Sequence, residues 1–98
     1  MIKKHYYKGG NTCRVWFYLP ADVIANDVAL VGDFNGWDEN ATPMKQKKDG
    51  TFYTAVTLET GKDYQFRYLL DHQKWENDWE ADAYIRNDQG TENSVVKV

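Results

Sequence analysis

Apolar and polar side chains alternate along Cys13 to Leu19 and again along Tyr64 to Leu70, and this two-residue period most limits the fold. Successive side chains of a strand point to opposite faces. Val15, Phe17 and Leu19 therefore share one face, with Trp16 and Tyr18 on the other. In the second segment Tyr64, Phe66, Tyr68 and Leu70 point inward, which turns Gln65, Arg67 and Leu69 outward. Thr51 to Glu59 repeats the pattern through Phe52, Val56 and Leu58. Val28 to Phe34 and Ser94 to Val98 read as further strands. Turn chemistry separates them: Pro20, Lys48-Asp49-Gly50, Thr60-Gly61-Lys62-Asp63 and the hairpin-like Asp71-His72-Gln73-Lys74. No window of helix length carries a helical period, and Ala21 to Ala25 admits one turn at most. The expectation is an all-β antiparallel sandwich over residues 13–98, preceded by a polar lead-in arm over residues 1–12.

The chain has 98 residues, enough for one domain with its own core. Its formal net charge is −3, and its twelve basic residues are scattered along the sequence. That disfavours nucleic acid and anionic membrane as partners. Cys13 is the lone cysteine, so no internal disulfide can form; a buried thiol at a strand start and a reducing, cytoplasmic setting are expected. Positive charge at Met1-Ile2-Lys3-Lys4 is followed by no apolar run, so no signal peptide is expected. Aromatic residues make up 15%, with four Trp and seven Tyr. A core this small cannot satisfy every indole N–H and phenol, so some of these rings should face solvent or a ligand.

One turn carries more than turn chemistry. Val31-Gly32-Asp33-Phe34-Asn35-Gly36-Trp37-Asp38 runs from an apolar strand end into Gly and Asn residues suited to tight turns, with a tryptophan at the tip. A large ring amid polar turn residues either folds back on the core or is held out for a partner. The same choice applies to Trp75, which stands in a charged stretch just beyond the Asp71–Lys74 loop. For Trp79 the two readings are an extended platform or a plug beside Tyr84. Trp16 reads as packing on its own sheet face.

This run resembles the GxFNxW signature of starch- and glycogen-binding modules of the isoamylase N-terminal type. That family includes the glycogen-binding domain of the AMP-activated protein kinase β subunit. Tyr64-Gln65-Phe66-Arg67-Tyr68-Leu69-Leu70-Asp71 is similar to the family's YxYKFxVDG strand. Gly90-Thr91-Glu92-Asn93-Ser94-Val95-Val96 is similar to its GTxNNII closing segment. The landmarks fall in family order from residue 31 to residue 96. The resemblance implies an immunoglobulin-like, early-set sandwich that binds α-1,4-linked glucan on Trp37 and Trp75. Arg67 stands at the family's basic position, and Thr91 and Asn93 match residues that hydrogen-bond sugar hydroxyls. Gln89 stands where the kinase subunit has an apolar leucine, which implies weak binding, roughly micromolar to millimolar. Trp75-Glu76-Asn77-Asp78-Trp79-Glu80-Ala81-Asp82-Ala83-Tyr84 further resembles small stand-alone bacterial members, which implies a module without a catalytic barrel. The implied partners are glycogen, starch or a maltodextrin, with a glycogen-metabolising protein as a second candidate.

The residues suit that chemistry. A glucan offers flat C–H faces rimmed by hydroxyls. Rigid indoles provide platforms, a guanidinium provides a planar fork of donors, and amide or hydroxyl side chains both donate and accept. Each residue also has a plainer use: Arg67 in covering an aromatic ring, Thr91 and Asn93 in shaping a turn. Two other classes compete. A glycosidase needs two carboxylates across a sugar, and Asp33, Asp38, Asp71 and Glu76 all fall in polar segments where solvated charge is the default. No calcium loop or zinc spacing is present, and no cofactor or metal is expected. An early-set docking domain that has lost glycan binding is the stronger rival, using the same aromatics against a protein.

Overall fold

The computed structural model describes residues 1–98 and contains nine β-strands and no α-helix. The strands are β1 (Ile2–Tyr6), β2 (Thr12–Leu19), β3 (Val28–Gly32), β4 (Lys45–Gln46), β5 (Phe52–Glu59), β6 (Asp63–Leu70), β7 (Lys74–Glu76), β8 (Ala83–Arg86) and β9 (Glu92–Lys97). They form two antiparallel sheets, β1-β2-β5-β4 and β3-β6-β9-β8, with β7 pairing to β6. This is the antiparallel sandwich that the alternating pattern predicts, and the immunoglobulin-like form is the one the resemblance implies.

The inward faces meet as expected. Val15, Phe17, Leu19, Phe52 and Leu58 of the first sheet pack against Leu30, Phe66, Tyr68, Leu70 and Val96 of the second. Cys13 is fully buried beside them. Phe17 meets Phe66 edge-on, with ring centroids 5.0 Å apart. Tyr68 brings a phenol into this core, and its hydroxyl donates to the buried Asp78 carboxylate at 2.7 Å. Burial pushes the Tyr68 phenol well above its ordinary pKa of 10.0, and the Asp78 charge adds to the shift.

Several boundaries differ from the expectation. The lead-in arm is largely an edge strand, β1, paired with β2 from Ile2↔Phe17 to Tyr6↔Cys13. Its alternation is diluted by lysines, which are the side chains an exposed edge favours. The strand expected over Val28 to Phe34 stops at Gly32, because Asp33–Asn35 winds into a 3₁₀ turn. The short strands β4, β7 and β8 have too few residues to show a period. The outer face of the first sheet also gathers cations that lie far apart in sequence. Arg14 stacks over Trp16 at 5.2 Å, and Lys3 and Lys47 sit over Tyr18 at 5.8 and 5.3 Å.

Candidate functional site

The site is built on the outer face of the second sheet, where β6 lies between β3 and β7. Residues directly opposite in antiparallel strands share a face. Leu69 is paired with Ala29 of β3 on one side and with Trp75 of β7 on the other. Arg67 is paired with Val31. Ala29, Val31 and Leu69 form a small apolar patch outside the main core, and Trp37 packs against it. The two tryptophans therefore flank β6. Two inter-strand spacings, about 10 Å, separate the β3 and β7 positions.

Local sequence fixes Trp37. Asn35 Oδ1 accepts from the Gly32 N–H at 3.1 Å, while its Nδ2 donates to the Leu30 carbonyl at 2.9 Å and to Thr42 Oγ1 at 3.0 Å. Gly32 permits the close passage of β6, since a Cβ there would lie 2.6 Å from the Gln65 carbonyl oxygen and 2.8 Å from Phe66 Cβ. Gly36 (φ 66°) and then Trp37 (φ 59°) turn through the left-handed region. That conformation is costly for a residue as bulky as tryptophan, and such strain concentrates at ligand sites. Asp33 compensates: one carboxylate oxygen takes the Trp37 indole N–H at 2.9 Å, the other the Gln65 backbone N–H at 2.7 Å. Trp37 is thus half-buried on one side and held by its indole nitrogen.

Arg67 is half-buried, with its guanidinium carbon 5.3 Å from the centre of the Trp75 ring. Its Nε is shut off from solvent and bonds to nothing in the protein. None of the ion pairs involves Arg67. Burial lowers its pKa from the ordinary guanidinium value, and the Glu76 charge opposes that shift, so the guanidinium remains charged. Trp75 itself is 36% exposed.

The third side of the site is the β8–β9 connection. Asn93 is buried; its Nδ2 donates to Gln65 Oε1 at 3.1 Å, and its Oδ1 accepts from Asn87 Nδ2 at 3.3 Å. Asn87 organises the loop. Its Nδ2 also donates to Thr91 Oγ1 at 2.7 Å, and its Oδ1 accepts the Gln89 and Thr91 N–H groups at 3.0 and 3.1 Å. Together Trp37, Arg67, Trp75, Asn87, Gln89 and Asn93 bound one open concavity of about 450 Å³, with Asp88 on its rim.

Five of the six residues singled out in the sequence thus meet at one concavity. Thr91 stands apart from its lining, and its hydroxyl is engaged with Asn87. Asn87, Asp33 and Gln65 were missed as contributors. Only Asn87 left a trace in the sequence, as the first residue of the turn cluster Asn87-Asp88-Gln89-Gly90. Trp79 neither joins this platform nor plugs the sandwich. It is 56% exposed, and Tyr84 instead uses its hydroxyl to hold the Asp78 carbonyl at 2.6 Å.

The chain is thus an immunoglobulin-like β-sandwich with two tryptophans beside one open concavity. The chain belongs to the carbohydrate-binding module 48 family, the isoamylase N-terminal domain, whose family model matches residues 4–85. The module of this family is non-catalytic. It is 40% identical over 60 residues, 61% of its length, to the 1,4-alpha-glucan branching enzyme GlgB of Butyrivibrio fibrisolvens. It is 40% identical over 71 residues, 69% of its length, to GlgB of Aquifex aeolicus. These matches cover 9% and 11% of the two enzymes, so the chain spans about a tenth of the curated relatives. The family match ends before the β8–β9 loop, so Asn87, Gln89, Thr91 and Asn93 fall outside it. No helix is long and apolar enough to cross a membrane.

Proposed function

We propose that this chain is a non-catalytic α-1,4-glucan-binding module that holds glycogen, starch or a maltodextrin on Trp37 and Trp75, in a cytoplasmic setting. The observation that carries the reading is a charged guanidinium without a hydrogen-bond or ion-pair partner in the protein, set against Trp75 on an open concave face that Trp37 also lines. Stacked sugar rings would cover the indoles, and ring hydroxyls would accept from the Arg67 terminal nitrogens. Gln89, Asn93 and Asn87 would offer amide donors and acceptors at the ring edges, while Thr91 would shape the loop. The strained Trp37 backbone supports the reading, because the turn holds a large ring beside the concavity at a cost that a purely structural residue would avoid. Asp88 is the one carboxylate on the concavity, whereas glycoside hydrolysis uses two. The names of the relatives add the class of polymer, and a glycogen-metabolising protein is the partner the module would bring to it. Gln89 in place of an apolar side chain and an open surface both favour weak binding, roughly micromolar to millimolar.

Affinity electrophoresis through glycogen-containing gels tests this directly. The native chain is expected to be retarded, and both Trp37→Ala and Trp75→Ala to migrate as in gels without glycogen. Normal retardation of both variants would remove the tryptophans from the site.

A further inference from the structure

A second concavity lies on the opposite side of β7. Lys74, Trp75 and Glu76 alternate across this strand, so the side chain of Trp75 serves the outer face while its neighbours serve the sandwich edge. There Lys74, Glu76, Trp79, Gln73, Asp22 and Ile24 bound an open space of about 370 Å³. Its most prominent surfaces are apolar: Trp79 is 56% exposed and Ile24 is 94% exposed. Its polar groups divide by commitment. Asp71 is spent on the Asn26 and Asp27 backbone N–H groups, at 2.8 and 2.9 Å. Gln73, Lys74 and Asp22 make no hydrogen bond through their side chains and supply an amide, an ammonium and a carboxylate. Three carboxylates against one lysine exclude an anionic occupant, while the mix of donors and acceptors beside an indole suits a neutral polyol. The volume suits a small ligand, and strand β7 borders both concavities, giving Trp75 to the first and Lys74 and Glu76 to the second.

We propose that Trp79, with Asp22, Gln73 and Lys74, forms a second subsite for the same α-glucan, so that a long chain passing over β7 engages both sides of the strand. This rests on the reading of the Trp37–Trp75 site. Binding at two linked subsites raises affinity through effective concentration, and only for chains long enough to span them.

Maltotriose and glycogen serve as short and long probes. Trp79→Ala is expected to weaken glycogen binding about tenfold and maltotriose binding less than twofold. In the native chain the Trp79 indole N–H resonance should shift with maltoheptaose, and in Trp75→Ala it should still shift at higher sugar concentration. A folded Trp79→Ala variant with native glycogen affinity would overturn the second subsite, as would a Trp79 resonance that stays fixed while those of Trp37 and Trp75 move. If no indole moves with any glucan, the first site fails and the second with it.

Discussion

At the scale of the residue, Arg67 shows how one side chain combines two demands. Its planar guanidinium lies against Trp75, and its charge is retained although burial disfavours it. A lysine keeps the charge but loses both the fork and the stacking. Arg67→Lys is therefore expected to weaken glucan binding on the order of tenfold while shifting stability by less than about 1 kcal/mol, as read by calorimetric titration and thermal melting. Unchanged affinity would mean the guanidinium only covers Trp75. This position was legible in the sequence, because the period of Tyr64 to Leu70 places Arg67 outward without reference to any family. Asp33 was not legible. Its two bonds, to the Trp37 indole and the Gln65 backbone, join turn to strand across 32 positions of chain, and nothing local announces them.

At the scale of the element, the turn after β3 determines where the platform stands. Asn35 closes the turn on its own strand, and Gly32 lets β6 pass beneath it. Gly32→Ala would drive a methyl group into backbone, because the nearest atom is the Gln65 carbonyl oxygen. A loss of about 2–4 kcal/mol is expected in chemical denaturation, with weakened binding as Trp37 shifts. Native stability in this variant would show that β3 and β6 can separate without cost. The glycines and asparagine of the turn were plain in the sequence. The left-handed backbone at Trp37 was not, since a bulky residue there runs against its own preference. The β8–β9 loop was half legible. Its Gly90 and closing strand stood out, but Asn87 works through four hydrogen bonds to Gln89, Thr91 and Asn93 that only the folded loop brings together.

At the scale of the whole molecule, the two sheets are tied beyond their shared core. Asp82, just before β8, accepts from Lys4 Nζ of the first sheet at 2.7 Å and from the Lys97 N–H of the second at 2.8 Å. Burial pushes the Asp82 carboxyl up, but the Lys4 bond, the Lys97 N–H and the two lysine charges outweigh it, so the pKa falls below the ordinary 3.8. A carboxylate with a lowered folded pKa contributes stability above its unfolded value and loses it as pH falls through the folded one. Asp82→Asn is expected to be less stable than the native chain at pH 7 and to converge with it as the pH falls below 3.8 and through the lowered folded value, followed by thermal melting across the range. A constant difference at every pH would assign the effect to packing. The edge strand β1 belongs to this scale too. It pairs with β2 as a hairpin, and its lysines conceal the alternation that would have marked it as a strand.

The central claim is that Trp37 and Trp75 form one α-glucan platform. A two-dimensional amide and indole NMR titration with maltoheptaose tests it most directly, with cellohexaose as the control. The account predicts saturable shifts at the Trp37 and Trp75 indoles and at the Asn87 to Asn93 amides with the α-linked sugar alone. Fixed resonances at millimolar maltoheptaose, or equal shifts with both sugars, would contradict it.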